Sequence, residues 1–225
     1  MNTSVAFNDL DITETKAIGM AESLNPAVLT DIYQQHNNIV IWKREQPEVI
    51  QQQAALLIEQ QPKLNISRAI YASRIETDVN DTLPDLSNAR ELQNRISELV
   101  NMFSCLFDLP KVGLRLSVLD RAMCPRFHVD RVPCRLVTTF YGVGSQWLPH
   151  QWVNRQKLGH GSKGLSDEES GLYPNTDCIQ TLNCGDVALL KGELWESNEG
   201  AGLVHRSPPV PEDEKRLLMT LDFLL

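Results

Sequence analysis

The run Cys124-Pro125-Arg126-Phe127-His128-Val129-Asp130 decides how the second half of this chain is read. It has the texture of a short strand, and in a strand residues i and i+2 point to one face. His128 and Asp130 then converge, an imidazole beside a carboxylate. A second imidazole is available far downstream, in Gly202-Leu203-Val204-His205-Arg206-Ser207-Pro208-Pro209. Two histidines and one carboxylate on a common face suit a redox-active iron. Three such ligands tolerate iron(II) and leave positions open for reactants.

Outward from that run the sequence is a series of short apolar stretches. Val112–Leu119, Arg126–Asp130, Cys134–Val143, Cys178–Leu182, Val187–Lys191, Leu203–Ser207 and Arg216–Phe223 read as strands, broken by Gly, Pro, Asn and Asp. Many strands without intervening helices indicate a β-sandwich or barrel rather than a parallel βαβ sheet. The polar segment 151–177 is too long for a hairpin and reads as a mobile loop or lid. It carries His150 at its entrance and His160, and a loop role is expected for both.

Upstream of Pro110 the periodicity is helical. Asn25-Pro26 opens a helical run to Tyr33, and Asn38–Lys43 reads as a strand. Pro47 starts a helix over Glu48–Gln61, with Val49, Ala54, Leu56 and Leu57 available for its core face. Ser87 has the character of an N-cap for a helix over Asn88–Phe107. Its stripe of Leu92, Ile96, Leu99, Val100, Phe103, Leu106 and Phe107 is core packing. The expected organisation is a loosely ordered lead-in over 1–25, a mainly helical part over 26–110, and a β core over 111–225 that forms one compact unit with it.

The 225 residues carry 42% hydrophobic and 22% charged side chains, ordinary for a globular domain, and a formal charge of −8. That charge argues against a nucleic-acid backbone or an anionic membrane as main partner. No signal peptide or membrane-spanning run is visible, and five cysteines without a CxxC pair read as reduced thiols, so a cytoplasmic protein is expected.

The order of three blocks, Cys124 to Asp130, then Gly185-Asp186-Val187-Ala188-Leu189-Leu190, then Gly200 to Pro209 running on to Arg216–Phe223, resembles the double-stranded β-helix core of the iron(II)/2-oxoglutarate-dependent dioxygenases. The resemblance spans about residues 112–224. It implies an α+β protein whose C-terminal half is a double-stranded β-helix, jelly-roll or cupin-like, with a helical N-terminal half packed against it. It further implies that His128, Asp130 and His205 hold iron(II), that Arg216 grips the distal carboxylate of 2-oxoglutarate, and that a small molecule or a protein side chain is oxidised. The whole chain is also similar to a bacterial family of unknown function, through Cys124 to Leu136, Gly142-Val143-Gly144-Ser145-Gln146-Trp147-Leu148 and Gly202 to Pro209. That family tends to occur beside zinc-homeostasis genes, which implies a metal-related role.

Several residues have competing readings. Arg216 lies 11 residues beyond His205 where about ten is commonest, and residue 218 is Leu where relatives place a serine. Thr220 is the nearest hydroxyl on the same strand face, and Arg115 is a rival carboxylate clamp. Arg216 could equally be a surface residue beside the charged turn Glu212-Asp213-Glu214-Lys215. Asp130 could cap a turn before Pro133, and His205 could be a buried core histidine. Cys124 shares strand parity with His128 and Asp130. A thiolate beside two imidazoles would favour a non-redox zinc site, unless Pro125 bends the backbone. A metal-free β-helix serving as a binding scaffold is the third alternative. Arg131 and Arg135 read as exposed salt-bridge residues, with an anionic substrate at the pocket rim as the alternative. Arg206, facing the opposite side of its strand from His205, reads as a structural ion pair; Trp147, Trp152 and Trp195 read as core or rim packing.

Overall fold

Among the described residues there are ten strands and three α-helices. The computed structural model describes residues 17–83 and 89–224. In the N-terminal part lie β1 (Gly19–Ser23), β2 (Asn37–Trp42), α1 (Glu48–Gln60), β3 (Asn65–Tyr71), α2 (Ile75–Thr82) and α3 (Arg90–Phe107). There follow β4 (Lys111–Leu119), β5 (Cys134–Tyr141), β6 (Gln146–Leu148), β7 (Gln180–Thr181), β8 (Val187–Lys191), β9 (Val204–Arg206) and β10 (Arg216–Phe223). Seven strands form a large sheet in the order β1-β2-β8-β5-β10-β4-β3, and β7-β6-β9 form a small one. Every pairing is antiparallel except β1 with β2.

Alternation along the strands sorts the large sheet into two faces. Leu217, Met219 and Leu221 of β10, Val112, Leu114 and Leu116 of β4, and Leu136 of β5 meet Leu57 of α1 and Leu92, Ile96, Leu99 and Phe103 of α3 in one apolar core. The opposite face is covered only in part. Trp147 of β6, with Leu182 and Leu203, packs on Ile39, Ile41, Val137, Ala188 and Leu190 of β2, β5 and β8. Over β10, β4 and β3 the sheet stays open, and there a cavity of about 530 Å³ forms. Its floor is the second residue set of the same strands: Arg216, Leu218 and Thr220 of β10, Arg115 and Ser117 of β4.

The architecture is mixed α+β, but the expected division into a helical half and a β half needs correction. Both flanks of the large sheet come from the N-terminal part: β1 and β2 extend β8, and β3 pairs with β4. Residues 17–25 of the expected lead-in contain β1, held by five pairings to β2; the rest of that lead-in and the Ser87 cap lie outside the described residues. On α1 the buried residues are Ile50, Ala54, Leu57 and Ile58, whereas Val49 and Leu56 are exposed. The buried set follows the i, i+4, i+7, i+8 stripe of a helix, rotated by one position from the expected one. Residues 126–130 are not a strand; His128 makes a single isolated bridge. The segment 151–177 is built from short 3-10 turns and buries Leu172 and Tyr173 against Phe127 and Val204. Among the described residues no helix is long and apolar enough to cross a membrane.

Candidate metal centre

Without a strand at 126–130, the two histidines are brought together by the backbone itself. The His128 N–H donates to the His205 carbonyl and the His205 N–H to the His128 carbonyl, both at 3.0 Å. The rings face each other with centroids 4.7 Å apart. Each Nδ1 lies against a main-chain carbonyl, Arg126 at 2.9 Å for His128 and Leu203 at 3.2 Å for His205. Carbonyls only accept, so each Nδ1 carries the proton and each Nε2 presents a lone pair. Those nitrogens lie 3.6 Å and 3.3 Å from the two Asp130 carboxylate oxygens. One ligand atom from each of the three residues lies within 4.8 Å of the others.

Three acceptors converging without a donor between them is unfavourable unless a cation or a proton joins them. The donor set of two imidazole nitrogens and one carboxylate oxygen fits a divalent first-row metal with open positions. In the metal-free protein, protons take that role in part. The hydrogen bond to Asp130 raises the His128 pKa despite burial. Burial works against ionised Asp130, but the hydrogen bonds of both imidazoles and the charges of His205 and Arg135 hold its carboxyl far below the usual range.

Arg135 orients that carboxylate. Its guanidinium donates to Asp130 Oδ2 at 2.6 Å and forks onto both oxygens of Asp222 at 2.7 and 2.9 Å. β5 and β10 set Arg135 directly opposite Asp222 in register. The expectation of an exposed salt bridge for Arg135 is corrected here: the side chain is mostly buried between two carboxylates, and burial, which lowers a guanidinium's pKa, is outweighed by the Asp222 hydrogen bonds and both charges.

The long loop holds the approach to His128. Buried Asp167 accepts from Arg126 Nε at 2.6 Å and from the Phe127 N–H at 2.8 Å, with Arg206 3.7 Å away. Arg206 is thus an ion-pair residue, as its position on the strand implied. Arg155 donates to the Gly202 carbonyl just before the His205 strand. On the other side Gly192 closes against 130–132: an added Cβ would lie 2.0 Å from the Val132 carbonyl oxygen and 2.7 Å from that of Asp130. Gly192→Ala is therefore expected to destabilise by roughly 1–3 kcal/mol, as overpacking does, and to weaken metal binding by displacing Asp130. Chemical unfolding with and without metal measures both.

Arg216 is fully buried, and the reading of it as a surface residue is overturned. Its partners are three hydroxyls, Ser207 at 3.2 Å, Thr139 at 3.1 Å and Ser145 at 3.2 Å, and its Nε has none. Among the described residues no carboxylate pairs with it, and burial lowers its pKa to about 10. The hydroxyls sought at positions 218 and 220 come instead from β5, from the turn before β6 and from the residue after β9. Thr220 and exposed Arg115 line the same cavity, on neighbouring strands in register. Cys124 is exposed at its mouth and is not one of the clustered ligands. With no strand there, the parity that placed its sulfur beside His128 does not apply. His150 lies 3.4 Å from Arg155 rather than in the cluster, and His160 is exposed. Trp147 is core, Trp195 packs on Tyr33 and Phe107, and Trp152 is exposed.

A family model described as protein of unknown function (DUF1826) matches residues 23–222. The chain belongs to that family. No curated protein matches its sequence. Solved structures resemble its fold. Dioxygenase for auxin oxidation 1 from Arabidopsis thaliana, in its 2-oxoglutarate binary complex, is 9% identical with a TM-score of 0.51 over 92% of each chain. A putative oxygenase from Shewanella oneidensis is 9% identical with a TM-score of 0.50, over 92% of this chain and 90% of its own. A full-length Neurospora crassa protein in complex with alpha-KG is 11% identical with a TM-score of 0.50, over 94% and 86%. At such identities the likeness speaks for a shared fold, and that of the first of these is the fold of a dioxygenase.

Proposed function

We propose that this member of the DUF1826 family is an iron(II)-dependent oxygenase that uses 2-oxoglutarate or a similar oxo acid. The observation that carries the reading is one cavity lined both by the two imidazoles of the three-acceptor cluster and by a buried guanidinium without an acidic partner. His128, Asp130 and His205 would hold the metal; Arg216 would take the far carboxylate of the oxo acid. Bound iron(II) would supply oxygen activation coupled to oxidative decarboxylation of the oxo acid.

The chain's own residues do the positioning. The backbone carbonyls of Arg126 and Leu203 fix both imidazoles with Nε2 presented, and Arg135 fixes the face of Asp130. Arg216 suits a carboxylate because its planar fork donates two parallel charge-assisted hydrogen bonds. Ser207, Thr139 and Ser145 hold the fork in place before the ligand arrives, which lowers the ordering cost of binding. Leu218, Val137 and Leu190 line the cavity between and exclude water from the bound acid.

The test is anaerobic binding. Manganese(II), as a redox-silent stand-in, followed by 2-oxoglutarate should each raise the unfolding midpoint; a ligand at 100 times its Kd adds about 2.7 kcal/mol. His205→Ala should abolish the metal effect and, with it, the metal-dependent part of the 2-oxoglutarate effect. If wild-type protein is unmoved by divalent metals, the proposal is wrong and a metal-free scaffold stands in its place.

A further inference from the structure

The cavity holds more positive charge than metal and oxo acid require. In a chain of net charge −8, its lining includes Arg115, Arg135, Arg206 and Arg216 and, apart from the Asp130 carboxylate clustered with its two histidines, no Asp or Glu. Two of these guanidiniums are neutralised locally, Arg135 by Asp130 and Asp222 and Arg206 by Asp167. Two are not. Arg216 is at the buried floor, and Arg115 is exposed, with no ion pair or hydrogen bond of its own among the described residues. 2-Oxoglutarate brings two carboxylates: the one next to its keto group would go to the metal, and the distal one needs a single arginine. The second arginine is left over.

We infer that Arg115 is the anion-binding residue for the molecule to be oxidised, a small organic acid whose carboxylate or phosphate sits at the cavity mouth. This rests on the proposed oxygenase reading and names the substrate class for that site. β4 sets Arg115 between Ser67 of β3 and Thr220 of β10 in register, and Asn65 and Ser67 line the same rim. An oxyanion there meets one guanidinium flanked by neutral donors and no competing carboxylate. Inward from it, Leu218, Val137 and Leu190 offer an apolar wall for the acid's carbon chain. Burial separates the two arginines by role. The enclosed one suits a cosubstrate bound first, whereas the exposed one is reachable by a ligand arriving second.

The test uses the full chain with manganese(II) and saturating 2-oxoglutarate, and repeats it with neither. The probes are hexanoate, hexyl phosphate and neutral hexanol, followed by ligand-observed NMR. Hexanoate or hexyl phosphate should bind while hexanol does not, and the tighter of the two identifies the oxyanion. Arg115→Gln should weaken that binding at least ~10-fold and leave 2-oxoglutarate affinity within about twofold, while Arg115→Lys retains part of it. Circular dichroism should show all variants folded, as expected for an exposed side chain. Equal binding of both probe acids to Arg115→Gln and wild type overturns the inference, as does loss of 2-oxoglutarate affinity in Arg115→Gln, which would make Arg115 the cosubstrate clamp. Binding of the probe acids that depends on Arg115 when 2-oxoglutarate does not bind at all supports the anion site and sinks the oxygenase reading instead.

Discussion

Replacing Arg216 by Met is expected to stabilise the ligand-free protein by about 1–2 kcal/mol while weakening 2-oxoglutarate binding at least ~100-fold. A guanidinium buried without a counter-charge is costly; even after relaxation the penalty is on the order of several kcal/mol. Here burial alone lowers its pKa to about 10, which marks the charged form as disfavoured in the folded state. Met fills similar space without the charge. Against that gain stand the hydrogen bonds to Ser207, Thr139 and Ser145, worth about 0.5–1.5 kcal/mol each if lost outright. Two of these hydroxyls, Ser207 and Ser145, border a cavity that water enters, so most of their share of that loss is recovered. For the ligand the balance is reversed. Two charge-assisted hydrogen bonds at roughly 1.5–3 kcal/mol each exceed the 2.7 kcal/mol that corresponds to a hundredfold change. Urea unfolding and calorimetric titration measure the two effects. A variant that is less stable and binds 2-oxoglutarate normally would mean that Arg216 is a structural residue.

The same residue shows how far a sequence can be read. The triad was legible because two short motifs, His128-Val129-Asp130 and the block around His205, occur in order and among flanking β blocks, although each alone has an ordinary structural reading. The local geometry behind it was not. Parity on an assumed strand brought His128 and Asp130 to one point, whereas the structure does so with an isolated bridge followed by irregular chain. Parity also admitted Cys124 to that face, and without a strand the argument for its sulfur disappears. For β10 and β4 parity worked, because both are long, regular and apolar on one face, so Arg216, Thr220 and Arg115 could be placed on a common side.

What stayed hidden was everything that depends on pairing between distant strands. Nothing local to Arg135 shows that Asp222 lies opposite it in register; the pair is set by how β5 and β10 align. Asp167, in a polar loop with no periodicity, gives no sign that it anchors Arg126 and Phe127. β3 was missed for a related reason. It is an edge strand whose residues are mostly exposed, so the alternation that reveals half-buried strands is almost absent. β1 is similar, five residues whose strand pairing among the described residues is with β2 alone. Motifs survive in sequence because chemistry fixes residue identity, but register is fixed by the fold as a whole.

That register makes Arg135 the other sensitive position. Arg135→Leu should destabilise the metal-free protein by about 3–5 kcal/mol, since it strands two poorly exposed carboxylates, Asp130 and Asp222, without their shared guanidinium. At roughly 2–4 °C per kcal/mol for a chain of this size, the midpoint should fall by about 6–20 °C in the presence of a chelator. Metal affinity should drop by about 10–100-fold, the usual effect of removing a group that orients a ligand. A second change separates the two consequences. Arg135→Leu with Asp222→Leu removes the stranded carboxylate on β10 and puts two facing apolar side chains in register, so most of the stability should return. The metal affinity should not, because Asp130 still lacks the donor that holds Oδ2 at 2.6 Å. Recovery of both properties in the double variant would mean that the Arg135–Asp130 contact has no part in presenting the carboxylate, and that Arg135 serves only to neutralise Asp222.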